Sequence, residues 1–343
     1  PFTTINPNEG VAYVRVKSLC SSLGVRCSPR FGSCDGTYRF VPVSLLDVAG
    51  LVPGAHAGRG LGNKFLDDLR KANGNILVVD CSGATDPEGN PAKPGTYNPI
   101  EDVLMVEREF AHWVKGILDR NWRKIRSEAL KSSSSVLKAL LSVLSGLSIS
   151  AQHIVSATAA AGLSLGDIMN WSNEKKLEFS FHLFKIAKPM VIAANKVDVQ
   201  EAEKFLLELK RSLSDYVVVP VSSEAELILK KAAKAGLISY RPGDSDFKVT
   251  NPDKLSRQQL KVLDLIRDKI LRKYGSTGVQ NCLEELIFNV MKYIAVFPVE
   301  DENKLSDHKG NILPDVFIVP QMTTPKELAY TVSYTHLRAH ETE

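Results

Sequence analysis

Cysteine is scarce, with five in 343 residues. That is too few for a disulfide-stapled scaffold, and it sets the expectation of a reduced, intracellular protein. Aromatic residues make up only 7%, and neither charge sign dominates: 43 Lys and Arg against 39 Asp and Glu leave +4. So small a surplus does not by itself point to nucleic acid. The ordinary 44% of apolar residues excludes wholesale disorder, collagen and coiled-coil rods. No internal repeat is visible. Residues 139–166 carry no Asp, Glu, Lys or Arg, but Ser142, Ser145, Ser148, Ser150, Gln152, His153 and Ser156 interrupt them. A buried helical hairpin is expected there rather than a membrane span. The chain opens Pro1-Phe2-Thr3-Thr4, without Met, a basic region or an apolar leader, and is read as beginning inside a longer protein.

What is present is an alternation. Residues 11–16 and 38–46 are β-rich, with a long connection holding Gly24, Pro29, Gly32 and Gly36 between them. Asn75 to Asp80, 189–194 and 216–221 are continuous apolar runs of the kind found in buried parallel strands. Helical periodicity fills 61–72, 100–119, 200–213 and 256–273. Apolar strands alternating with helices predict an α/β fold with a parallel sheet. Between 100 and 187 the strand signal vanishes, which predicts an all-helical insert with a break at Ser132–Ser135. Residues 292–298 and 315–320 read as two further strands, followed by a short helix over 326–330.

Three strand ends carry chemistry. The run through Leu46 ends in Asp47-Val-Ala-Gly50, where a carboxylate can hold Mg²⁺ and a glycine lets a backbone N–H approach a γ-phosphate. The run over 189–194 delivers Asn195-Lys196-Val197-Asp198. A carboxylate there can accept the paired N1 and N2 donors of guanine, which adenine lacks. Asn195 can tie neighbouring loops together, and the Lys196 stem can cover the base. The third run leads into Ser222-Ser223, whose loop can offer an N–H to the guanine O6. Each pattern alone is weak; their order along the chain is that of a GTPase.

The spelling resembles the Obg-related, YchF-like translation-associated GTPases. The resemblance rests on Pro1-Phe-Thr-Thr-Ile-Asn-Pro-Asn8, on Asp47 through Asp67 with its Ala-Gly-Arg-Gly-Leu-Gly core, on Tyr274-Gly-Ser-Thr-Gly-Val-Gln280 and on Tyr293-Ile-Ala-Val-Phe-Pro-Val299. It implies a P-loop NTPase-type sheet and a GTP-hydrolysing switch with Mg²⁺. Thr4 and Asp47 would serve the metal; Thr4, Asp47, Gly50, Asn195, Lys196, Asp198, Ser222 and Ser223 would serve GTP or GDP. It implies a cytoplasmic protein with a ribosome or rRNA partner, and neither membrane nor DNA. The implied domains are a discontinuous nucleotide domain over 1–100 and 187–290, the helical insert over 101–186, and a partial TGS (β-grasp) module over 291–332.

Departures qualify that picture. No Gly-x-x-x-x-Gly-Lys-[Ser/Thr] occurs in the chain, so the sheet is expected to lack its first strand and phosphate loop, and the chain as it stands to bind nucleotide weakly. Leu51 follows Gly50 where many GTPases place a water-orienting glutamine, so no catalytic base can be named and hydrolysis should be slow. A non-hydrolysing RNA-binding scaffold and an ATPase remain as alternatives, the latter disfavoured by Asp198. From Ser333 the sequence stops resembling the family, and 333–343 reads as a foreign tail; His336 and His340 are not expected to ligate metal.

Two clusters stay open. Cys20, Cys27 and Cys34 recur every seven residues, either as loop thiols or as a metal site completed by another group; Cys81 and Cys282 should pack in the core. Lys115, Arg120, Arg123, Lys124, Arg126 and Lys131, with Trp113 and Trp122 among them, form either a solvated helix face with core tryptophans or an RNA-binding stripe.

Overall fold

The computed structural model describes residues 8–48, 50, 51, 54 and 71–340, with side chains as far as Val332. Its contacts divide the described chain into two units, one over 46–286 and one joining 10–45 to the residues from 287 onward. The expected nucleotide domain over 1–100 is therefore split. The reason is a set of backbone hydrogen bonds: Ser28 N donates to the Ile312 carbonyl at 2.8 Å and Arg30 N to that of Pro314 at 2.9 Å.

The second unit takes in strand β1 (Asn8–Lys17) from Gly10, a short helix α1 (Cys20–Leu23), β2 (Ser33–Cys34) and β3 (Tyr38–Asp47) as far as Leu45. The central strand is β3, antiparallel to β2. The unit's carboxyl-terminal part pairs Tyr293–Val296 with Phe317–Pro320, antiparallel. Val14, Val41 and Ile287 form the buried centre. A final helix, Pro325–His340, runs well past the predicted 326–330 piece and through the point where a foreign tail was expected to begin.

The first unit holds the parallel sheet, with β4 (Asn75–Asp80) beside β5 (Met190–Asn195) and β5 beside β6 (Val217–Pro220). Met190 to Ala194 are all buried, as a strand covered on both faces requires. Between β4 and β5 lies the predicted insert: α2 (Ile100–Ala129), α3 (Ser133–Leu144), α4 (Ala151–Ala160) and α5 (Asn173–Ala187). Val103, Val106, Phe110, Val114 and Leu118 make the buried stripe of α2 at three- and four-residue spacing. Ser132, Ser150 and Ser172 each accept a backbone N–H at the start of the following helix, which satisfies donors no helical turn can reach. The uncharged 139–166 stretch is spent on α3 and α4, bent by 107°; no single described helix is long and apolar enough to cross a membrane. After β5 come α6 (Ala202–Ser212), which buries Ala202, Phe205, Leu206 and Leu209 against the sheet, and, past β6, α7 (Ser223–Lys234). The helix predicted over 61–72 falls almost wholly outside the described residues.

Candidate nucleotide-binding site

The parallel strands bring their carboxyl ends to one edge. Asp80 lies opposite Asn195, and Ala194 opposite Pro220. Backbone bonds carry the ladder beyond the strands: Cys81 N donates to Asn195 O at 2.9 Å, Val221 N to Ala194 O at 2.9 Å, and Val197 N to Val221 O at 3.2 Å. Ligands of α/β sheets bind at this edge.

Side chains then join the two loops that leave it. Asn195 Oδ1 accepts the Ser223 backbone N–H at 3.1 Å. The Ser222 hydroxyl donates to Asp198 Oδ1 at 2.8 Å, and Ser222 Oγ accepts the Ala225 N–H at 3.3 Å as the cap of α7. Asp198 is exposed, and its carboxylate is oriented by the Ser222 hydroxyl. Lys196 sits at φ +66°, in the left-handed region that side chains seldom occupy. Its Nζ lies 2.8 Å from Asp80 Oδ2.

Asp80 is the residue the sequence did not single out. Its carboxylate accepts Ser82 Oγ and Thr85 Oγ1, each at 2.5 Å, besides the lysine. Burial alone would raise its pKa; the Lys196 ammonium and the two hydroxyls outweigh burial and hold it below the usual carboxylate range. The only sequence trace was its place at the polar end of an apolar run, and its partner is 116 residues away.

The Tyr274–Gln280 stretch, noticed in the sequence by resemblance alone, underlies the Ser222 turn. Ser222 N donates to the Thr277 carbonyl at 2.9 Å. Thr277 Oγ1 and the Tyr240 hydroxyl both donate to Glu226 Oε2, at 2.6 and 2.7 Å.

The remaining expected site residues are placed differently. Asp47 ends β3 and is exposed, as is Gly50; among the described residues neither hydrogen-bonds to the Asn195–Ser223 group. Leu51 is 8% exposed and packs with the apolar residues of the helical insert. Gly54 N donates to Glu109 Oε1 of α2 at 2.7 Å. Thr4 lies outside the described residues. Cys81 and Cys282 are buried as expected. On α2, Trp122 stacks on Trp171 with centroids 6.3 Å apart, and Trp113 lies edge-on to Phe110. Both tryptophans pack against the insert's core, so they are not free stacking platforms. Arg120, Arg123, Lys124 and Arg126 stay exposed.

A family model described as the G4 motif-containing domain of YGR210-like Obg-like GTPases matches residues 193–301. The GTP-binding protein MJ1332 of Methanocaldococcus jannaschii is 47% identical over 97% of this chain and 82% of its own length. The chain belongs to the Obg/YchF-type GTP-binding proteins. The GTP-binding protein C428.15 of Schizosaccharomyces pombe is 33% identical over the same shares of the two chains. A solved GTP-binding protein of Pyrococcus horikoshii superposes with a TM-score of 0.73 at 34% identity, over 95% of this chain and 83% of that one. The sheet β4–β6 is accordingly of the P-loop NTPase type. The matched segment starts two residues before Asn195 and takes in the Ser222 turn and the Tyr274–Gln280 stretch beneath it, so the family's signature and the most heavily braced part of the edge coincide.

Proposed function

We propose that this Obg/YchF-type protein is a guanine-nucleotide-dependent switch that hydrolyses GTP and acts with the ribosome or its RNA in the cytoplasm. The observation that carries the base assignment is the union of the two loops: Asn195 holds the Ser223 N–H while Ser222 orients Asp198. In this reading Asp198 accepts the N1 and N2 donors of guanine, Lys196 covers the base, and the loop at Ser222 and Ser223 offers an N–H to O6. Adenine has no such donor pair, so the arrangement favours GTP over ATP.

Mg²⁺ would be held by Asp47 and Thr4. The Asp47 carboxylate is exposed and meets no cation among the described residues, which suits a hard divalent ion. When bound, the ion would neutralise charge on the β- and γ-phosphates. Gly50 would present its N–H to the γ-phosphate. Leu51 contributes no polar atom and is engaged in the insert's core, so water must be oriented by another group or partner, and intrinsic turnover should be slow. Residues 101–186 would serve as the family's helical domain and 291–332 as part of a TGS module. The exposed arginines of α2 would be the RNA-facing element.

Competition against fluorescent GDP tests the reading. GTP should displace it and ATP should not. Asp198→Asn replaces an acceptor by a donor and should move the preference from guanine towards xanthine, which carries a carbonyl where guanine has its 2-amino group. Unchanged GTP-over-ATP selectivity in that variant would remove the assignment.

A further inference from the structure

The three cysteines spaced seven apart converge. Their sulfurs all lie within 4.8 Å of one another, and Cys20 Sγ stands 3.8 Å from Cys34 Sγ. Two thiolates bound at about 2.3 Å to a tetrahedral ion stand about 3.8 Å apart. A disulfide would need the sulfurs at about 2.05 Å and would leave the third thiol over.

The backbone that carries them is fixed on every side. Cys20 opens α1, whose end is closed by Gly24 in the left-handed conformation. The Cys27 loop is held one residue later by the Ser28-to-Ile312 bond. Cys34 lies in β2, paired with Arg39 of β3. Donors also surround the sulfurs: the Gly36 N–H reaches Cys34 Sγ at 3.4 Å, and Ser18 Oγ lies 3.3 Å from the same atom. Such N–H···S contacts are the usual outer support of metal-bound thiolates.

A second observation is independent of the spacing. Arg39 is 2% exposed, and no carboxylate among the described residues pairs with it. Its guanidinium donates to the carbonyls of Pro314 and Leu313, at 2.6 and 3.4 Å, and to Cys27 Sγ at 3.7 Å. Among the described residues its Nε has no hydrogen-bond partner. Carbonyl oxygens satisfy donors but do not neutralise charge, and a buried unpaired cation is costly. The group placed to balance it is the cysteine cluster. A divalent ion with three thiolates carries one net negative charge, equal and opposite to the guanidinium.

We propose that Cys20, Cys27 and Cys34 form a zinc site, with water in the fourth position. Cys27 and Cys34 are only half-buried, which leaves that position accessible. Three sulfur ligands select a borderline-soft ion over Mg²⁺ or Ca²⁺. On binding, each thiol releases its proton to solvent. The site clips α1, the Cys27 loop and β2 into one body, and Arg39 ties that body to the Leu313–Pro314 backbone.

The test is elemental analysis of the full chain purified under reducing conditions without chelator, followed by replacement with Co²⁺. The expected result is one zinc per chain and, with cobalt, a thiolate-to-metal charge-transfer band together with the d–d absorption of a tetrahedral centre. Cys34→Ser should lose both, with far-ultraviolet circular dichroism recorded alongside to show that the fold persists. Cys282→Ala, outside the cluster, should keep them. Wild-type protein with only trace zinc and no thiolate–cobalt band overturns the proposal even if the variants fail to fold. So does a cobalt band retained in Cys34→Ser, or a Cys20–Cys34 disulfide found by mass spectrometry in protein kept reduced.

Discussion

Gly278 has φ +82°, and a Cβ built there would stand 1.9 Å from the Pro220 carbonyl oxygen. No rotamer relieves that clash, because the obstacle is backbone. Gly278→Ala should therefore destabilise the protein by roughly 1–3 kcal/mol and displace the Ser222 turn, read as a lowered Tm together with weakened GDP binding. Asp80 yields a pH prediction. Its folded pKa is depressed, so its stabilising share is complete above the unfolded value of about 4 and is lost as pH falls through the lower folded value. The stability of wild type relative to Asp80→Asn should be level from neutrality down to about pH 4 and decline below it, as measured by urea midpoints at each pH. A constant difference through the acid range would show that Lys196 does not act on that carboxylate.

The long helix α2 serves two environments at once. Its buried stripe runs from Val103 to Ile125, while Arg120, Arg123 and Arg126 point to solvent at three-residue spacing. Trp122 belongs to the inner side, where Lys176 Nζ lies 4.7 Å from its ring centroid. Reversing the three arginines to glutamate should leave Tm nearly unchanged, since exposed positions contribute little. If the outer face meets RNA phosphates, the same change should weaken binding to ribosomes or rRNA by at least about tenfold at low salt and flatten its salt dependence. Co-sedimentation across a salt series checks both parts. Equal binding by the variant would leave the arginines as a solvated face.

The two units have separate cores. Val14, Val41 and Ile287 centre one, while the sheet β4–β6 with its helices and the helical insert supply those of the other. Val14 is fully buried, and Val14→Ala should cost roughly 2 kcal/mol. Hydrogen exchange should place that loss in β1, β3 and the 293–320 strands, while protection across β4–β6 stays as in wild type. Loss spread evenly over both units would mean that they unfold as one.

Local patterns were enough to read much of this molecule from its residues. Continuous apolar runs announce the parallel strands β4, β5 and β6, and helical periodicity announces the insert, because such patterns are a property of neighbours along the chain. Burial along the whole apolar part of the strand holds for β5 alone of the three, since in β4 Val79 is buried but Val78 is 61% exposed. That Asn195, Asp198 and Ser222 lie at the strand ends was legible for the same reason, each following such a run. What the chain could not reveal was pairing at a distance. Asp80 meets Lys196 only because the two strands lie in register, Gly278 is needed only because the chain returns under Pro220, and residues 10–45 join the carboxyl-terminal unit through backbone bonds to Ile312 and Pro314. The spacing of Cys20, Cys27 and Cys34 was visible from the start; that their sulfurs meet beside a buried arginine was decided by the turn at Gly24 and the pairing of β2 with β3, which bring together groups that no local pattern relates.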